Sequence, residues 1–212
     1  MSRFYLFTRF VRMWYYRITN HHYGIVNKIK FMAIGIKLGR HSVIHGPVSI
    51  LLGRDAEASI GDHFCLLSGR SLNPLSRNLR ACIKVNKGGK LKIGDFVGMS
   101  SVTIWCHKNI IIGNHVNVGA NTIILDSDCH SLNYIERHDI NVDMSSKKDR
   151  AIVIGDDVLI GVNCIILKGV TIGERTVIGA GSVVTRSIPE DCIAAGNPAV
   201  IVKDNRMKAD KM

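Results

Sequence analysis

Apolar residues recur in this chain on a strict beat of six: Ile154, Ile160, Ile166, Ile172, Ile178 and Val184. Gly follows four of those six positions, and small or polar residues fill most of the gaps. A period of six matches neither one face of an α-helix nor the alternation of a simple strand pair. It predicts a chain that turns a corner every six residues, with one short strand on each side of a triangular parallel coil. A looser form of the beat starts near Ile34, with Ile36, Val43, Ile44, Val48, Ile50 and Ile60-Gly61-Asp62. It resumes at Ile93-Gly94-Asp95 and runs through Ile112-Gly113-Asn114, Val118-Gly119 and Ile124.

Two stretches break the beat. Residues 70–82, with Asn73-Pro74, read as a loop leaving the wall. Residues 126–150 form a longer excursion with two histidines and no hexad Gly, after which Ile154 restarts the coil. A long departure from a regular solenoid is a candidate functional loop. Ahead of the coil, Phe4, Phe7, Val11, Trp14 and Ile18 share one face of a predicted short amphipathic helix over residues 3–20. Arg3, Arg9, Arg12 and Arg17 fall off that face and interrupt every apolar run well below the ~20 residues a membrane span needs. Two roles suit such a helix: docking on the body or a neighbouring subunit, or peripheral contact of residues 1–20 with anionic lipid. The predicted organisation is therefore a basic helical region at 1–30, a β-helix domain at 34–203 and a charged, frayed tail at 204–212.

Composition sharpens this picture in two places. The formal charge of +11 is uneven, because the first 54 residues hold nine Lys or Arg and no Asp or Glu. Such an excess suits nucleic acid, a membrane surface or an anionic small molecule; no nucleic-acid-binding motif accompanies it, so no nucleic-acid partner is expected. The six cysteines are scattered, with no Cys-x-x-Cys pair. That argues against a zinc ribbon or a disulfide framework and for a reducing, cytoplasmic setting.

The segment VIGDDVLIGVNCIILKGVTIGERTVIGAGSVVTRSIPEDCIAAGNPAVIVK resembles the hexapeptide-repeat acyltransferases, in particular the maltose and galactoside O-acetyltransferases and the O-acetyltransferases of bacterial polysaccharide synthesis. GMSSVTIWCHKNIIIGNHVNVGANTIILDSDCHSLN is similar to the active-site half of the same family. The resemblance implies an all-β architecture, a left-handed parallel β-helix assembled as a homotrimer, with acetyl-CoA in the cleft between neighbouring coils. Spacing alone leaves handedness open, and general crossover rules favour the opposite hand.

Acyl transfer from a thioester to a hydroxyl needs a base, oxyanion stabilisation and alignment of two substrates. Histidine suits the first task, since its ordinary pKa near ~6.5 leaves neutral imidazole available. The family's catalytic histidine corresponds to His130, at the mouth of the excursion. Asp126 and Asp128 are candidates for holding the imidazole, for capping the turn, or for binding the acceptor sugar. Ser100 and Ser101 occupy the family's acceptor region, where the galactoside enzymes carry Asn. For coenzyme A the resemblance points to Gly161, Ala180 and Thr185 on successive turns, with Lys168, Arg186 and Lys203 as partners for its phosphates. Leu159 stands where some relatives have Trp. Cys129 adjoins His130, but neighbours on an extended chain face opposite ways, so direct transfer is expected rather than an acyl-enzyme.

Three rivals share the coil or its use. A γ-class carbonic anhydrase needs a His-x-x-x-x-His pair around zinc, which this chain lacks, so no metal is expected. A serine acetyltransferase carries a much larger helical N-terminal domain. A non-catalytic scaffold would bind no coenzyme A. The favoured reading is an acetyl-CoA-dependent O-acetyltransferase acting on a sugar hydroxyl of a cell-surface polysaccharide, with N-acetylation of a nucleotide sugar as the alternative.

Overall fold

A computed structural model describes residues 3–69, 72–77 and 79–206. The chain forms a left-handed parallel β-helix whose three walls are sheets of six, eight and six short strands. The six-residue beat explains the walls directly. Ile60, Ile93, Ile112, Ile154 and Ile172 pair in register up the first wall. Leu66, Met99, Val118, Ile160 and Ile178 do so on the second, and Ile83, Ile104, Ile124, Ile166 and Val184 on the third. All fifteen are buried. Each large aliphatic side chain so removed from water contributes roughly 1.5–3 kcal/mol, and the repetition makes the coil one continuous core.

One corner is built from residues in the left-handed backbone region that are not glycine: His41, His63, Phe96 and His115 all have φ between 55° and 57°. Each such residue costs on the order of 1–3 kcal/mol unless its surroundings hold it. Backbone bonds from coil to coil do so here; Phe96 N–H donates to Asp62 O and His115 N–H to Asp95 O, both at 2.9 Å. The four rings stack outside the corner with centroids 4.5–4.9 Å apart.

The first helix, α1 (Arg3–Ala33), is 31 residues long, not the short element predicted to end near residue 20. Asn20, the two following histidines and Gly24 are weak helix formers, yet docking carries the helix on. Asn27 Nδ2 donates to the carbonyls of Ile44 and Gly46 (3.2 and 2.9 Å), and Phe31 is fully buried. The C-terminal half of α1 thereby covers the open end of the first coil, which would otherwise expose apolar core. At the far end, Cys192–Gly196 still pairs in parallel with Val177–Ile178, so the coil runs past Pro189. Ala199–Asp204 then folds back antiparallel on it. Of the tail predicted to fray, residues 207–212 lie outside the described residues.

Candidate functional site

The excursion leaves the third wall after Ile123–Leu125 and is pinched shut at its base. Arg150 N–H donates to Asp126 O (2.9 Å), Asp128 N–H donates to Lys148 O (3.1 Å), and Ser127 forms an antiparallel bridge with Asp149. Asp126 is fully buried. Its carboxylate accepts backbone N–H bonds from His107, Lys108 and Asn109 at 2.6, 2.8 and 2.8 Å, holding the turn one coil below. An acceptor-binding or imidazole-holding role for Asp126 is therefore corrected to turn anchor, since its oxygens are spent on the backbone. Burial and then the neighbouring Asp126 push the Cys106 thiol up to about 12.

Asp128 is also redirected. It pairs with Lys168 at 2.8 Å, both side chains largely covered (16% and 22% exposed). The pair clasps the returning chain to the coil. Lys168 is thus ion-paired rather than free, and the imidazole bonds a different carboxylate.

The group that does meet the imidazole was not signalled by the sequence. Inside the excursion, Asp139 caps α2 (Ile140–Ser146), accepting from the N–H groups of Asn141 and Val142. Helix α2 carries Asp143, whose side chain is only 4% exposed. Asp143 accepts from His130 Nδ1 at 2.6 Å and from Ser131 N–H at 2.7 Å. These two bonds hold its carboxyl below the usual range. A carboxylate can only accept, so the proton shared with it belongs to Nδ1 and the lone pair is left on Nε2. No hydrogen bond engages Nε2 among the described residues, and the His130 side chain is 64% exposed. Arg137 donates to Ser131 O at 2.7 Å, and Ser131 Oγ bonds Glu136, so the loop around the pair is tied on several sides. The spacing of thirteen residues and the intervening turns hid this pairing; the only local signal was Asp139 three residues ahead of Val142 as a helix start.

Cys129 has φ 63°, so the chain there is not extended as the sequence argument assumed. Its thiol is nonetheless a poor nucleophile, because partial burial raises its pKa.

A second cluster lies on the outer face of the third wall. Lys84 and Trp105 are paired residues on neighbouring strands, and the Lys84 ammonium sits 4.4 Å from the indole centroid. Trp105 Nε1 donates to Asn86 Oδ1 (3.1 Å), while Asn86 Nδ2 lies 3.0 Å from His107 Nδ1. Lys147, from the base of the excursion, is 3.3 Å from the same ring nitrogen and pairs with Asp149. Burial first and then Lys147 lower the His107 pKa, keeping that imidazole neutral. The i, i+2 spacing of Lys84 with Asn86 and of Trp105 with His107 is the sequence trace of this cluster.

Ser100 and Gly161 share a shallow cleft of about 390 Å³ on the second wall, with Leu67, Asn117 and Leu159 among its walls. No residue of the excursion lines it. Ser101 is buried at a corner, φ 44°, and its Oγ accepts from Gly69 N–H at 3.0 Å; it is a structural corner, not an acceptor ligand. Gly161 lies in a column of close coil contacts. A methyl group there would fall 2.5 Å from Ala180 N, just as one on Gly119 would fall 2.5 Å from the Gly161 carbonyl carbon. Ala180, Thr185, Arg186 and Lys203 are exposed, and neither Arg186 nor Lys203 has an ion-pair partner among the described residues. No group of three or more His, Cys, Asp or Glu is placed to hold a metal among the described residues.

Comparison with known proteins agrees with this architecture. Residues 151–186 match the family model described as bacterial transferase hexapeptide (six repeats). The chain is 29% identical over 152 residues to the WbbJ O-acetyl transferase of Escherichia coli K12, named for lipopolysaccharide biosynthesis; the match covers 70% of this chain and 72% of that protein. It is 36% identical over 118 residues to the galactoside O-acetyltransferase of the same strain, spanning 55% of each chain. A crystal structure of a hexapeptide-repeat acetyltransferase from Vibrio cholerae O1 biovar eltor, complexed with acetyl coenzyme A, superposes with a TM-score of 0.53. That match has 25% identity and covers 85% of this chain and 76% of that one. Coil and relatives agree: residues 151–186 carry the bacterial transferase hexapeptide repeat, and the chain is similar to the hexapeptide-repeat acetyltransferases.

Proposed function

We propose that this protein transfers the acetyl group of acetyl-CoA to a hydroxyl of a saccharide destined for cell-surface polysaccharide, in the cytoplasm, without an acyl-enzyme. The observation carrying the reading is the His130–Asp143 pair, because it leaves a basic Nε2 at the surface of a tethered loop. Nε2 takes the hydroxyl proton as the oxygen attacks the thioester carbonyl. The C–S bond then breaks, and the imidazolium returns that proton to the departing CoA sulfur, so the base is regenerated. Asp143 is the positioning residue that fixes the tautomer.

Acetyl-CoA is assigned to the Gly119–Gly161–Ala180 column. The absence of side chains beyond methyl there lets an extended arm lie against backbone groups. Thr185, Arg186 and Lys203, exposed beyond that column, remain the candidates for its distal end. The acceptor is assigned to the space between the excursion and the Trp105–His107 cluster, whose aromatic and cationic groups suit a sugar bearing negative charge. Ser100 belongs to the coenzyme-side cleft. A homotrimer is the assembly we infer. The excursion exposes Leu132, Tyr134, Ile135, Ile140, Val142 and Met144, an apolar surface that a neighbouring copy would cover while adding its own wall to the site.

Replacing His130 with Ala tests the assignment. Turnover should fall by about 10²–10⁴-fold, the usual contribution of a general base, with coenzyme A binding by calorimetry little changed. A variant that keeps its turnover would overturn the reading, and a chain that binds no acetyl-CoA would favour the scaffold alternative.

A further inference from the structure

Helix α1 leaves one long face uncovered. Every described side chain from Leu6 to Ile18 is exposed, so the N-terminal half stands clear of the coil. Helical periodicity places Phe7, Val11, Trp14, Ile18, Ile25 and Ile29 on one face, with His21 and His22 between Ile18 and Ile25. All six are between 46% and 64% exposed. The docked residues Asn27 and Phe31 lie on the opposite face, so packing on the coil turns the stripe outward along the whole helix. The stripe therefore extends well beyond the first twenty residues.

The charges around it are of one sign. Helix α1 holds six Lys or Arg and no carboxylate, and no Asp or Glu occurs before Asp55. Arg17 and Lys28 fall on one flank of the stripe, where long side chains can reach outward from beside a buried apolar face. Arg17 also lies 6.0 Å from the Trp14 ring centroid. A second copy offering the same stripe fits this pattern poorly. Pairing stripe to stripe would bring cations of both helices together with no carboxylate on either, and would place His21 at the apolar seam. A surface rich in phosphate over hydrocarbon matches both features at once.

We propose that α1 is a membrane-docking element that lies flat on an anionic bilayer, its Phe7-to-Ile29 stripe in the acyl boundary and its flanking cations on lipid phosphates. No helix among the described residues is long and apolar enough to cross a membrane, in keeping with a helix that rests on the surface. This docking does not depend on the acyl-transfer chemistry.

The test is co-sedimentation of the full chain with phosphatidylcholine vesicles made with and without phosphatidylglycerol. Binding should require the anionic lipid and be released by salt, which screens surface charge. Each cation near such a surface strengthens binding about fivefold, so the double change Arg17→Gln and Lys28→Gln should weaken it roughly 25-fold. Ile18→Asp with Ile25→Asp should abolish sedimentation while the oligomeric state, measured by light scattering, and acetyl transfer to a soluble acceptor stay as in the parent. Equal binding to both vesicle types, or none to either, overturns the proposal. So does a stripe variant that dissociates the oligomer yet still sediments with vesicles, because the stripe would then be a seam between copies.

Discussion

Changing Asp143 to Asn probes the site more sharply than removing the base itself. The substitution keeps size and shape, and one amide oxygen can still accept from Ser131 N–H, now 2.7 Å from the carboxylate. The other position becomes an NH₂ group facing His130 Nδ1, where the carboxylate oxygen had been 2.6 Å away. Two donors cannot share that contact. The imidazole must either move or shift its proton to Nε2, which removes the lone pair aimed at the acceptor. The size of the effect follows from what is lost: a misplaced tautomer forfeits the general base, about 10²–10⁴-fold in kcat. Asp143→Ala should be no worse, since water can enter and accept from Nδ1. The assay is release of the CoA thiol under saturating acetyl-CoA, paired with ¹⁵N spectra of the His130 ring. The parent should show the proton on Nδ1 and the Asn variant on Nε2. Unchanged kcat in Asp143→Asn, or a loss confined to the KM for acetyl-CoA, would refute the positioning argument.

Three further outcomes follow from the same geometry. Asp126→Ala frees three N–H groups at a buried turn, so stability should drop by about 2–5 kcal/mol, lowering Tm by roughly 5–15 °C; an unchanged Tm would mean that water replaces the carboxylate. Gly161→Ala must separate coils whose backbone would lie 2.5 Å from the new methyl carbon. It should cost about 1–3 kcal/mol and weaken acetyl-CoA binding in calorimetry, and a neutral result would remove the column from the coenzyme site. The third concerns acid. Asp143 is held below its ordinary value of 3.8, so its stabilising contribution is complete above that pH and is lost as pH falls through its lower folded value. The Tm deficit of Asp143→Asn should therefore be present at neutral pH and close below pH 3.8, and a deficit constant with pH would show that the carboxylate charge is not its source.

What the amino-acid order determined by itself was everything carried by local repetition. The beat from Ile154 to Val184 dictated the coil, because inward aliphatics at fixed spacing can be buried together only if the chain turns at each interval. The same regularity made the excursion at 126–150 visible as an interruption, and with it His130. Helix α1 was legible in its first five turns, where the apolar stripe is dense. Its extension to Ala33 was not, since Asn20, His21, His22 and Gly24 are weak helix formers, and only the burial of Phe31 and the bonds from Asn27 outweigh them.

The tertiary structure decided how the polar residues pair, because irregular chain has no period from which to read its contacts. Asp126 and Asp128 stand nearest His130 in sequence, yet one is spent on three backbone amides and the other on Lys168. The carboxylate that reaches the imidazole comes from a helix thirteen residues on, brought back by turns that obey no repeat. Likewise Lys84, Trp105, His107 and Lys147 converge because strands from separate coils lie side by side and the excursion returns beside them. Periodic burial could be counted along the chain; the meeting of side chains across it could not.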